Sequence, residues 1–163
     1  MRILGIDPGT TRIGYGLIEK GREFSLVDYG IIEINSANKH AGITELGARM
    51  DALIARSRPD ISGVEQLFFS KNQKTALAVA QARGIILNKL LTARIPVFEC
   101  TPNQVKQTVA GFGNADKRAV AAMVRKLLRI ETLSGHDDAS DALAIAITAA
   151  YHYAFAQKTG GTL

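Results

Sequence analysis

The sequence predicts an α/β domain built on a five-stranded mixed sheet with helices on both faces. Three observations predict it. Segments rich in Ile, Leu, Val and Tyr follow one another with only turns between them as far as residue 34. From residue 41 onward, helical periodicity alternates with short β-rich runs. At 163 residues, 47% hydrophobic and 21% charged, the chain can bury one sizeable core but is too short for two large lobes.

Arg2 to Asp7 reads as a short apolar strand closed by the Pro8-Gly9-Thr10 turn. Arg12 to Glu19 and Glu23 to Ile34 read as two further strands, joined by the hairpin turn Lys20-Gly21-Arg22. Together the three form an antiparallel meander. Ala41 to Arg56 places Ile43, Leu46, Met50, Leu53 and Ile54 at helical spacing, and Pro59 stops it. Ile61 to Phe69 is a fourth strand, Asn72 to Ala93 a long Ala- and Leu-rich helix, and Ile95 to Cys100 a fifth strand with Pro96 at its start. Thr101-Pro102-Asn103-Gln104 carries a capping box with proline at the first helical position, and the helix it opens ends near Gly111. Helices over Asp116 to Ile130 and Asp138 to Gln157 complete the domain, 1–157, with 158–163 as a frayed tail.

The charge is unevenly spread. Residues 1–65 hold eight basic and nine acidic residues, 66–130 eleven basic and two acidic, and 131–163 one basic and four acidic. A middle segment at +9 is an electrostatic footprint for a polyanion such as nucleic acid, with solvated helix faces as the plainer alternative. A single cysteine, Cys100, excludes an intramolecular disulfide framework and a cysteine-based zinc site. His40 and His152 lack metal-ligand spacing. No apolar run reaches the length of a membrane span and the N-terminus does not read as a signal peptide, so a cytoplasmic protein with no membrane association is expected.

Four carboxylates stand out by position. Asp7 closes the first strand, Glu65 lies in the fourth among Val64, Leu67 and Phe68, and Asp138 and Asp141 share a face at the start of the last helix. If the first and fourth strands are neighbours, Asp7 and Glu65 stand side by side and the last helix lays its first turn across them. Clustered carboxylate oxygens suit Mg²⁺ or Mn²⁺, and two such ions ~3.5–4 Å apart can activate a water and stabilise the leaving oxygen of a phosphodiester. Taken singly, Asp138 and Asp141 could serve only the helix dipole and Asp7 only its turn. A strand glutamate between apolar residues needs a partner.

Beginning at Leu4-Gly5-Ile6-Asp7-Pro8-Gly9, the sequence resembles the RNase H-like and retroviral-integrase nucleases, and more narrowly the RuvC-type Holliday-junction resolvases. The resemblance runs in order through Gly14-Tyr15-Gly16, Glu65-Gln66 with Phe68, Lys71 and Asn72, and Gln81-Ala82-Arg83-Gly84. It continues through Pro96-Val97-Phe98-Glu99 and Gln104-Val105-Lys106-Gln107-Thr108-Val109 to Asp138-Ala139-Ser140-Asp141-Ala142-Leu143-Ala144-Ile145-Ala146. It implies an RNase H-like domain that nicks four-way DNA junctions with the help of two Mg²⁺ ions, Mn²⁺ being a possible substitute. It also implies a homodimer and branch-migration motor proteins as partners.

Asp7, Glu65, Asp138 and Asp141 fall on the family's catalytic and metal-binding acids, and Lys106 and Lys117 on basic residues important for cleavage. Phe68 falls on an aromatic used at the junction, and Lys71, Lys74, Arg83 and Arg118 join Phe68, Lys106 and Lys117 as expected DNA contacts. His136 and Asp137 are neighbouring alternatives for the third acid; the ungapped Asp-x-x-Asp favours Asp138 and leaves Asp137 as an N-cap or supporting residue. The glycine-rich start is read as allowing backbone to approach metal or phosphate closely. For the homodimer, the helix from Asn72 offers a small-residue row, Ala76, Ala80 and Gly84, with Leu77, Ile85 and Leu91 as further apolar area.

Two other functions fit parts of the pattern. An RNase H-like nuclease that trims RNA precursors would share the acids but prefer RNA. An actin- or Hsp70-like nucleotide-binding protein would use Gly5-Ile6-Asp7-Pro8-Gly9-Thr10-Thr11 on phosphate, but needs a second lobe that 163 residues cannot supply.

Overall fold

The structure is a computed structural model that describes residues 1–36, 38–66, 73–133 and 137–160. Its strands are β1 (Arg2–Asp7), β2 (Arg12–Lys20), β3 (Phe24–Glu33), β4 (Ile61–Glu65) and β5 (Val97–Cys100). Its helices are α1 (Lys39–Ser57), α2 (Gln73–Thr92), α3 (Pro102–Ala110), α4 (Lys117–Leu128) and α5 (Asp137–Thr159). The strands form one sheet in the order β3-β2-β1-β4-β5. β1, β2 and β3 pair antiparallel, while β4 joins β1 and β5 joins β4 in parallel. This is the expected meander followed by parallel crossovers.

Local chemistry sets the helix ends. Asn38 caps α1 by accepting from the Ala41 amide at 2.8 Å, and Arg58 closes it in the left-handed region, with φ 45°. Thr101 and Gln104 form the predicted capping box on α3 (3.1 and 2.8 Å). Asp116 caps α4 by accepting from the Ala119 amide at 2.7 Å.

Most element boundaries differ from the sequence reading by a residue or two, and two strand ends differ for a clear physical reason. β4 ends at Glu65 rather than Phe69, because its partner β5 stops at Cys100, where Thr101 turns away to cap α3; the last bond is from the Gln66 N–H to the Cys100 carbonyl, 2.8 Å. β5 starts at Val97 rather than Ile95, since Pro96 has no N–H and contributes only its carbonyl, to Ser62. α5 runs on through Lys158 and Thr159, which had been assigned to the tail.

The two faces of the sheet bury separate cores. α1 and α2 press Leu46, Met50, Leu53, Ala82, Ile86 and Leu90 onto Leu4, Ile6, Ile13, Tyr15, Leu17 and Val64. On the other face α3, α4 and α5 enclose Ile3, Ile18, Ile61 and Cys100. α5 is the central helix of that layer, buried at every position from Ala142 to Ala150.

A row of glycines brings it so close. Gly16, Gly5 and Gly63 are in register across β2, β1 and β4. A Cβ on Gly5 would stand 2.0 Å from the Ala142 carbonyl oxygen and 2.5 Å from the Ala146 nitrogen. One on Gly16 would strike Leu143, and one on Gly63 would meet Ile145 and Ala149 at 2.9 Å. One step along β2, a Cβ on Gly14 would stand 2.2 Å from the Asp138 carbonyl oxygen. The glycine-rich start is expected to admit metal or phosphate; the structure instead lays α5 against Gly5, Gly14 and Gly16, while Gly9 faces the Arg12 main chain and Gly21 open space.

Candidate active site

Side chains alternate across a strand. Counting by twos places Ile3, Gly5 and Asp7 of β1 on the α5 face, and likewise Ile61, Gly63 and Glu65 of β4. Each strand therefore reads Ile-x-Gly-x-acid: an apolar anchor, a glycine under the helix, then a carboxylate just past it. That repeated pattern is a sequence signal for the site that the motif reading passed over. Because the two strands are parallel and in register, Asp7 and Glu65 end side by side at the same edge of the sheet. The first turns of α5 bring Asp138 and Asp141 over them.

The carboxylates sense one another. Burial, then the charges of Glu65, Asp141 and Asp138, push Asp7 up to about 8, with Lys117 opposing. Burial and Asp141 push Glu65 up to about 7, again against Lys117. Burial raises Asp141 as well, despite its hydrogen bond from Lys117. The Cys100 thiol, buried beneath the site, is driven up to about 12 by burial and by the charges of Glu65 and Asp7; it stays protonated and packs as a small hydrophobe.

Cations flank the acids. Lys117 Nζ lies 2.9 Å from Asp141 Oδ2 and 3.6 Å from Asp137. Burial pulls its amine down, but the hydrogen bond and the surrounding carboxylates outweigh that and hold it above its ordinary value. Arg12 Nε stands 4.0 Å from Asp138. Among the described residues, no three His, Cys, Asp or Glu side chains are drawn together around a single ion-sized position.

Two clefts open beside the acids. Glu65, Asp141, Lys106 and Lys117 line one of about 250 Å³. Asp7, Asp138, Thr10, Thr11 and Arg12 line the other, of about 270 Å³. Each cleft thus pairs one strand acid with one helix acid. A third, more basic hollow is lined by Lys117, Arg118, Arg125, Asp137 and Ser140; of its two arginines the sequence analysis names only Arg118 as a DNA contact.

Not every expected residue stands where the sequence put it. Asp137 is not an N-cap: it sits inside the first turn of α5 and pairs with Lys117. Arg83, expected on DNA, is turned inward and spent on protein partners. Phe68, Lys71 and His136 lie outside the described residues, and Lys74 falls on the first turn of α2 with its side chain outside the described part.

A family model described as "Crossover junction endodeoxyribonuclease RuvC" matches residues 3–149, nine-tenths of the chain and a span that includes the four acids. The chain belongs to the RuvC family. Curated RuvC relatives include that of Chloroflexus aurantiacus, 47% identical over 162 residues (98% of this chain, 99% of the relative). That of Desulfitobacterium hafniense is 44% identical over 168 residues, covering 100% of each. Among solved structures, Thermus thermophilus RuvC superposes with a TM-score of 0.84 at 33% identity, covering 99% of this chain and 98% of that one. The same organism's RuvC in complex with a Holliday junction substrate gives 0.87 at 34% identity, covering 95% and 96%. A yeast mitochondrial Holliday junction resolvase, 10% identical with a TM-score of 0.67, shares the fold. Membership makes this chain an endodeoxyribonuclease, and no helix among the described residues is long and apolar enough to cross a membrane.

Proposed function

We propose that this chain resolves four-way DNA junctions by hydrolysing one phosphodiester per active site. The observation that carries the reading is the convergence of Asp7, Glu65, Asp138 and Asp141, from two strands and a helix, on one edge of the sheet, walled by Lys106, Lys117 and Arg118. The donor set is all carboxylate oxygen, which fits hard divalent cations such as Mg²⁺ or Mn²⁺. The division of the acids between two clefts suits two ions, which Glu65 and Asp141 would hold on one side and Asp7 and Asp138 on the other. When bound, such ions supply a nucleophilic water and offset charge on the leaving oxygen.

The chain's own residues do the rest. Lys117 holds Asp141 in place and draws down the surrounding carboxylates toward their charged forms. Lys106, on the wall of the same cleft, faces the strand to be cut and offsets charge on its phosphate. Lys117, Arg118 and Arg125 give the backbone an electrostatic track. Phe68, on the segment after Glu65, stacks on a base unpaired at the crossover. The products are a 5′-phosphate and a 3′-hydroxyl.

Two symmetric nicks require two such sites, so the working unit is a two-fold homodimer. α2 offers its surface: Leu77 and Leu91 are 66% and 61% exposed, and Gly84, midway between them, has open space where a Cβ would go. Ala76 and Ala80 flank this stripe half-buried, whereas Ile85 packs on the monomer's own core. Branch-migration motors are the partners that the resemblance adds.

The test is scission of a four-way junction, plain duplex and RNA by the purified protein with Mg²⁺. Junction-specific paired nicking that Asp7→Asn, Glu65→Gln, Asp138→Asn and Asp141→Asn each abolish, with junction binding retained, is the expected result. Preferred cleavage of RNA, or full cutting by Asp7→Asn, refutes it.

A further inference from the structure

Arg83 occupies the middle of α2, on the opposite face of the sheet from the four acids, where Ala82 and Ile86 beside it are buried against the sheet. Its side chain is only 18% exposed and makes two contacts that converge on the end of β4. Its Nε donates to the main-chain carbonyl of Glu65 at 3.1 Å, and its terminal nitrogen pairs with the Glu99 carboxylate. Glu99 lies on β5 directly beside Val64. At this point the sheet comes down to its last bond: β1 pairs no further than Ile6 with Val64, and β5 ends at Cys100, whose carbonyl accepts from the Gln66 N–H. The Glu65 carbonyl is therefore at the last position of the ladder, where a strand end frays unless something ties it.

We propose that Arg83 is a positioning residue for Glu65, clamping the last peptide of β4 to β5 from beneath so that the carboxylate above is held against Asp7 and Asp141. The guanidinium acts through the backbone rather than on the carboxylate. The groups that set the acidity of Glu65 are its own burial, Asp141 and Lys117, and its side chain faces α5 while Arg83 comes from the α2 side. A planar fork reaching two acceptors at once is a geometry that arginine has and lysine lacks. This places Arg83 outside the DNA contacts and links the helix bearing the proposed dimer stripe to the catalytic strand. The inference rests on Glu65 being catalytic.

The experiment compares Arg83→Met, Arg83→Lys, Glu99→Gln, the double variant Arg83→Met/Glu99→Gln and Glu65→Gln by junction affinity across a salt series and by nicking rate of the pre-formed complex. Arg83→Met is expected to slow nicking at least tenfold while affinity stays within twofold and its salt dependence keeps its slope. Arg83→Lys should fail to rescue. Glu99→Gln, at a half-exposed position, should share the defect, and the double variant should be no worse than Arg83→Met. Hydrogen exchange at the Gln66 amide should quicken in the same variants. If instead Arg83→Met binds more weakly with a salt slope shallower by about one, and nicks normally once bound, Arg83 is a phosphate contact and the proposal is overturned. Should Arg83→Met not fold, wild-type nicking by Glu99→Gln overturns it alone. Full activity in Glu65→Gln would sink the reading of the site itself rather than the clamp.

Discussion

Replacing Gly5 by alanine adds one methyl group at the point where α5 rests on the sheet. The new Cβ would stand 2.0 Å from the Ala142 carbonyl oxygen, 2.5 Å from the Ala146 nitrogen and 2.9 Å from the Ala146 Cβ, where ordinary contact begins at 3.4 Å. Two of the three obstacles are main chain in the middle of a buried helix, so no rotamer change relieves them. The helix must rise or slide by roughly 1 Å, a displacement large enough to cost about 100-fold when it falls between reacting groups. Overpacking against backbone belongs at the upper end of the usual penalty, about 3 kcal/mol, which in a domain of this size lowers Tm by about 6–12 °C. Gly14→Ala presses on the Asp138 carbonyl, at the free end of α5. It should cost a comparable loss of nicking for less stability, because a helix end pivots more readily than its centre. Gly21→Ala is the control, since its Cβ would meet nothing within 4 Å. Single-turnover nicking of a four-way junction and thermal unfolding read the two effects. Wild-type nicking and Tm in Gly5→Ala would refute the claim that helix-to-sheet contact spaces the acids.

Three more outcomes follow from the site and the helix ends. Asp7 and Glu65 titrate near 8 and 7 in the folded chain against ordinary values of 3.8 and 4.5, so the folded state holds extra protons in between. Metal-free protein should therefore lose Tm as pH rises from about 4 to about 8, and Asp7→Asn should remove most of that slope; a metal-free Tm that rises over this window contradicts the shifts. Lys117→Met deletes the charge that lowers Asp7, Glu65 and Asp141, so the pH–rate profile of nicking should move to more alkaline values with a loss of about 100-fold; an unshifted profile counts against that role. Asp116→Ala removes the α4 cap just before Lys117 and should cost about 1 kcal/mol, seen as a Tm lower by about 2–4 °C.

Much of this architecture was legible because it is local. The capping box at Thr101, the proline stop at Pro59 and the apolar runs of β1 and β2 each depend on residues close together in the chain. The acids were legible because a carboxylate closing an apolar strand, as Asp7 does, one flanked by apolar strand residues, as Glu65 is, and a pair on one helix face, Asp138 and Asp141, are each conspicuous. What escaped the sequence depends on register between distant segments. Gly5 and Gly63 are 58 positions apart and become neighbours only when β1 and β4 pair. Arg83 looks like any surface arginine in a basic helix until α2 is laid on the sheet and its fork meets Glu65 and Glu99. Asp137 resembled a cap because aspartate so often is one, but α5 already includes it.

The glycine row also bears on how such a site withstands change. Where a helix is spaced from a sheet by interlocking side chains, each conservative swap in the core alters the gap by a fraction of an ångström, and distances at the catalytic edge drift with it. Here the nearest atoms beneath Gly5 are the main-chain oxygen of Ala142 and nitrogen of Ala146, which every residue type shares, while beneath Gly63 the Ile145 carbonyl is joined by the Ile145 and Ala149 side chains. Away from Leu143, Ile145 and Ala149, the two cores can exchange Ile for Val or Leu for Met with the Gly5 contact still setting the separation of strand acids from helix acids. The glycines act as a gauge block: a Cβ added at Gly5 or Gly14 displaces α5 and, with it, the two acids that the helix carries.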